Sequence, residues 1–106
     1  MRELTEAEKA RRIELIETCR KFSGEYLPSH HGPGSWATTY STQFLDAATE
    51  LCKIYREAGA TWLYPELSRD FRGAGIRTCR GADFSFDRAE YLLKTHIAKR
   101  LEGRIR

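Results

Sequence analysis

Two helix patterns separated by a basic, glycine-bounded connector constrain this chain more than any other feature. Gly75-Ile76-Arg77-Thr78-Cys79-Arg80-Gly81-Ala82-Asp83-Phe84-Ser85 follows a short helical pattern and precedes a longer one running to Leu101. Glycine permits the positive φ that tight turns require. The apolar spacing on either side decides which helix faces point inward. A chain arranged this way folds as helices around one core, with a cationic bend beside the last of them.

The rest of the sequence supplies the other helices. Thr5-Glu6-Ala7-Glu8 has the spacing of a capping box, a hydroxyl at the cap and a carboxylate three residues on. A first helix is expected from there to about Phe22, with Ile13, Ile16, Cys19 and Phe22 as its inner stripe and Leu15 alongside. Residues 23–35 read as a loop punctuated by Gly24, Pro28, Gly32, Pro33 and Gly34. Trp36 to Tyr40 fits either a helix entry or an extended piece. A second helix is expected from about Ser41 to Ala58, built on Phe44, Ala48, Leu51, Tyr55 and Ala58 and stopped by Gly59. Pro65 suits the first turn of a short third helix, whose Leu67 and Phe71 face inward. Ser85 caps a fourth helix with Asp87 in its first turn and Ala89, Leu92, Leu93, Ile97 and Leu101 as its stripe, ended by Gly103.

The fold class is therefore all-α: a four-helix, helix-turn-helix-like domain, with a short β-hairpin wing between the last two helices as an optional addition. At 106 residues the chain is one domain, divided into an N-terminal helix (1–22), a loop (23–40) and a core (41–103). No apolar run reaches the length of a membrane span. The N-terminus lacks the apolar stretch of a signal peptide, so a cytoplasmic, reducing location is the expectation. Cys19, Cys52 and Cys79 are odd in number and widely spaced, which does not suggest a disulfide framework.

Charge is where composition contributes to function. The net charge is +3, but Arg69 to Arg106 holds ten Lys and Arg against five Asp and Glu, while the preceding part is slightly acidic. A basic C-terminal third suits a polyanionic partner. Nothing suggests an enzyme: there is no Gly-x-Ser-x-Gly elbow and no phosphate-cradling glycine loop. His30-His31, even with Cys19, lacks the short-spaced ligand pairs of a zinc site, so neither metal nor other cofactor is expected.

In helix-turn-helix proteins a short helix braces a second helix that lies in the major groove. The fourth helix has the two faces that role needs. Opposite its apolar stripe lie Asp87, Arg88, Tyr91, Lys94 and Thr95. Arginine and lysine pair with guanine, and hydroxyls such as those of Thr78 and Ser85 reach bases or phosphates. Arg77 and Arg80 are spaced as wing residues, available to phosphates or a minor groove. The candidate DNA contacts are thus Arg77, Thr78, Arg80, Ser85, Asp87, Arg88, Tyr91, Lys94 and Thr95.

These residues resemble part of the C-terminal DNA-binding domain of the large serine recombinases. That family carries Gly-Ile-x-Thr-x-x-Gly-x-x-Trp-Ser ahead of a helix with Val and Ile-Leu. Gly75 to Ser85 matches without a gap; Ala89 stands at the Val and Leu92-Leu93 at the Ile-Leu. Ile54 to Gly59 looks like the end of the family's first helix. Phe84 replaces the Trp, Phe71-Arg72 stands where Leu-Asn is usual, and the stretch from Gly59 to Leu67 is about two residues longer than the pattern and contains Pro65. The resemblance covers Ile54 to Leu93 only, with no catalytic serine domain. It implies double-stranded DNA binding in the setting of a mobile element, phage or plasmid, as a transcriptional regulator or accessory factor and not as a recombinase. A homodimer would give such a protein paired half-sites. The competing expectation is a small protein–protein interaction module, an inhibitor or adaptor, using an aromatic patch of Trp36, Tyr40, Trp62 and Tyr64.

Overall fold

Thr5 and Glu8 cap each other reciprocally at the start of the first helix. The Thr5 hydroxyl accepts from the Glu8 N–H at 3.1 Å, and the Glu8 carboxylate accepts from the Thr5 N–H at 2.8 Å. The structure, a computed structural model, describes residues 1–22, 26–28, 36–38, 40–79 and 81–102, with backbone alone for 26–28, 36–38 and 102. Helix α1 spans Glu6–Phe22. Strands β1 (Tyr26–Pro28) and β2 (Trp36–Thr38) pair antiparallel with Leu27 opposite Ala37. Helices α2 (Thr42–Glu57), α3 (Tyr64–Gly73) and α4 (Phe86–Leu92) follow. The last continues through a π-helical turn, Leu93–Ile97, into α5 (Ala98–Glu102). The protein is predominantly helical, as expected. The Trp36 segment resolves to the extended alternative.

Helix α2 is the centre of the fold. Phe44, Ala47, Ala48, Leu51, Cys52, Ile54 and Tyr55 are all buried, so most of its circumference is covered. Ser41 starts it, its hydroxyl accepting from the Phe44 N–H at 3.1 Å. Helices α2 and α3 end by the same device. Ala60 N–H reaches back to the Tyr55 carbonyl at 3.0 Å, and Ile76 N–H to the Phe71 carbonyl at 2.8 Å. The intervening Gly59 and Gly75 take φ of +91° and +74°. Phe44, Phe71 and Phe84 form the aromatic heart of the core, with centroids 4.9 to 6.4 Å apart.

Helix α1 is rotated from the sequence expectation. Leu15 and Cys19 are its buried residues, whereas Ile13 is 64% exposed. The cause is Arg12, which turns inward. It donates to the Tyr55 hydroxyl at 2.8 Å and to Asp70 Oδ1 at 2.5 Å. Asp70 is buried and also accepts from Tyr55. With Arg12, Leu15 and Cys19 on one face, helical geometry sends Ile13 outward.

The expected wing is not seen among the described residues. Between α3 and α4 these show one isolated bridge, joining Arg77 and Asp83, and no strands. Ile76 and Phe84, the residues flanking that bridge, are both buried in the core, which leaves no length for a ladder. The hairpin that does form lies between α1 and α2. Helix α3 ends at Gly73 and α4 begins at Phe86, so the connector is longer than the tight turn of a helix-turn-helix.

Candidate nucleic-acid interface

The connector is a tight loop closed by its own backbone. Thr78 N–H donates to the Ala82 carbonyl at 2.7 Å, and Gly81 N–H to the Thr78 carbonyl at 2.8 Å. Gly81 takes φ +85°, the left-handed conformation that lets the loop turn back. Thr78 is buried, and its hydroxyl accepts from the Ala82 N–H at 3.0 Å. Ser68 on α3 donates to the Phe84 carbonyl at 2.6 Å, anchoring the other end of the loop. The connector is therefore held against both α3 and the core.

Two of the sequence-derived cations meet on this loop. Arg77 Nη1 lies 3.2 Å from an Asp83 carboxylate oxygen and donates to the Gly81 carbonyl at 3.3 Å. Arg88 Nη1, from the first turn of α4, donates to the Asp83 main-chain carbonyl at 3.1 Å. Both arginines are exposed. Arg72, exposed at the end of α3, shares a shallow groove of about 160 Å³ with Arg77 and Asp83. It has no ion pair among the described residues. Sequence patterning did not single it out, since an arginine in the last turn of a helix already has a dipole role.

The remaining expected contacts divide by position. Asp87, Tyr91 and Lys94 are exposed on α4 and its π-helical continuation, Lys94 lying 3.7 Å from Glu90. Thr95 is half-buried. Ser85 is the α4 cap, its hydroxyl accepting from the Arg88 N–H at 3.3 Å. Thr78 and Ser85 thus have local structural partners. Arg80 lies outside the described residues, as do His30 and His31.

A cleft of about 580 Å³ opens between the connector and α4. Tyr40, Thr78, Cys79, Ala82, Asp87, Arg88, Tyr91 and His96 line it. The His96 ring meets Tyr40 edge-on, centroids 5.6 Å apart. Burial lowers the His96 pKa from its ordinary value, and the charges of Lys99 and Arg100 push the same way. Burial raises the Tyr40 phenol well above its usual range, opposed by a hydrogen bond from the Cys79 backbone. Tyr40 and His96 were not among the expected contacts. His96 lies within the π-helical turn, which no periodicity in the sequence announces.

Elsewhere, Trp62, Tyr64 and Phe86 form a row with centroids 6.1 and 5.9 Å apart, Trp62 and Phe86 being largely exposed. Among the described residues no three His, Cys, Asp or Glu side chains gather as metal ligands, and no helix is long and apolar enough to cross a membrane. No family, no curated protein and no solved structure matches this chain.

Proposed function

We infer that the chain binds double-stranded DNA and acts as a transcriptional regulator or accessory factor of a mobile element, phage or plasmid. The observation that carries duplex binding is the meeting of Arg77 and Arg88 on Asp83. A connector cation and a helix cation, both exposed, thus contact one residue, and Arg72 adjoins Arg77 in the groove. A phosphate backbone passing over Arg72 and Arg77 releases counterions, which drives association. Helix α3 supports α4 through the connector, by the Ser68–Phe84 bond and the Phe71–Phe84 ring contact two residues before α4 begins. Helix α4 then enters the major groove, Arg88, Tyr91 and Lys94 toward base edges and Arg77 toward phosphates. The mobile-element setting rests on the likeness of Gly75–Ser85 to the large serine recombinases alone. A second copy would pair half-sites.

A mobility-shift titration of random duplex between about 50 and 200 mM salt tests this, with binding expected to weaken steeply across the range. No shift at micromolar protein in low salt overturns it. The row of Trp62, Tyr64 and Phe86, with Trp62 and Phe86 exposed, favours a second function, a protein–protein interaction module. In that case duplex binding is absent, and Trp62→Ala abolishes partner capture while Arg77→Glu does not.

A further inference from the structure

We propose that the cleft between the connector and α4 binds a single guanine base, carried either by a free nucleoside or by an unpaired position in a nucleic-acid strand. At about 580 Å³ the cleft is within the range of small-molecule sites and is large enough for a nucleoside. Half-buried Tyr40 and His96 give it an aromatic floor, and Tyr91, 68% exposed, gives it an aromatic rim. Such rings stack on any base.

The polar groups make the choice of base. Asp87 and Arg88 are neighbours in the first turn of α4, and both line the cleft. Arg88 spends Nη1 on the Asp83 carbonyl, which leaves Nε and Nη2 for a ligand. The Asp87 carboxylate and the Tyr91 hydroxyl have no hydrogen-bond partner among the described residues. A bound ring must therefore offer donors to a carboxylate and acceptors to a guanidinium. Guanine does both, with N1–H and N2–H₂ for Asp87 and O6 and N7 for Arg88. Adenine turns the N1 lone pair toward the carboxylate, and an aromatic acid would set two carboxylates together. Thr78 takes no part, its hydroxyl already accepting from the Ala82 N–H.

The test is an NMR titration of the full chain with guanosine and with adenosine, following the Tyr40 and His96 ring resonances. Guanosine is expected to shift both in the sub-millimolar range, with adenosine about tenfold weaker. Asp87→Asn and Tyr91→Ala, both at exposed positions, are each expected to weaken guanosine about tenfold. Duplexes carrying one bulged guanine or one bulged adenine separate the two sources. Preference for bulged guanine assigns the site to a strand, and binding of guanosine alone assigns it to the free nucleoside. Unmoved resonances at about 1 mM guanosine, equal affinity for the two nucleosides, or an Asp87→Asn protein that binds like the parent overturns the proposal. Free guanosine needs no duplex, so this outcome is separate from that of duplex binding.

Discussion

Ser68 and Phe84, sixteen residues apart in sequence, are joined by a 2.6 Å hydrogen bond from the serine hydroxyl to the phenylalanine carbonyl. Both residues are fully buried. The bond fixes the end of the connector on α3 just before Ser85 starts α4, so it sets where the Arg88 face points relative to α3.

Ser68→Ala leaves that buried carbonyl without its partner. The expected cost is about 1–3 kcal/mol of folding stability, read from urea denaturation. Duplex affinity should fall with it at temperatures where the protein remains folded, because the connector loses its anchor. A stability change below about 0.5 kcal/mol would remove the bond from the account.

The Arg12–Tyr55–Asp70 network makes a second prediction. Arg12→Ala leaves the buried Asp70 carboxylate with weaker compensation, and a loss of about 2–3 kcal/mol is expected. The Tyr55 phenol is pushed up to about 12 by burial first and by its bond to Asp70 second. Its folded-state pKa is thus above the unfolded one. The stability it contributes is complete below the unfolded value and is lost as pH rises through about 12. Urea midpoints should drop on the alkaline side, and Tyr55→Phe should flatten that drop. Tyr40, shifted in the same direction, should keep it from vanishing.

Gly75→Ala isolates the cost of backbone conformation. An added Cβ would meet nothing within 4 Å, yet φ is +74°. The expected loss is about 1–2 kcal/mol with no change in duplex affinity. Equal stability of the variant would show that the end of α3 does not need the left-handed residue.

Arg77 and Arg88 should separate by role. Arg77→Glu is expected to weaken every duplex alike, as loss of a phosphate contact does. Arg88→Ala is expected to alter sequence preference, by about 1–3 kcal/mol at the base pair it contacts. A selection from random duplexes with each protein distinguishes them, and unchanged preferences for Arg88→Ala would take α4 out of the major groove.

The features legible in the sequence are those fixed locally. Thr5 with Glu8, Ser41, Ser85, Gly59 and Gly75 act within one helical turn, and each caps or ends a helix as its type and spacing imply. The rotation of α1 was not legible because it depends on Arg12 meeting Asp70, 58 positions away. The wing expectation failed for a similar reason: Ile76 and Phe84 are claimed by the core, which shortens the loop to one bridge. Arg77 and Arg88 were legible as exposed cations, but their convergence on Asp83 is a property of the folded loop. The cleft was illegible as a unit, since Tyr40 and His96 meet across 56 positions and the π-helical turn that contains His96 leaves no periodic trace.

The most direct test of duplex binding at the connector is the salt dependence of affinity for the Arg77→Glu variant against the parent protein. One phosphate-facing charge at Arg77 predicts that the slope of log affinity against log salt becomes shallower by about one. Parallel slopes for the two proteins, or a parent that does not bind duplex at all, would contradict it.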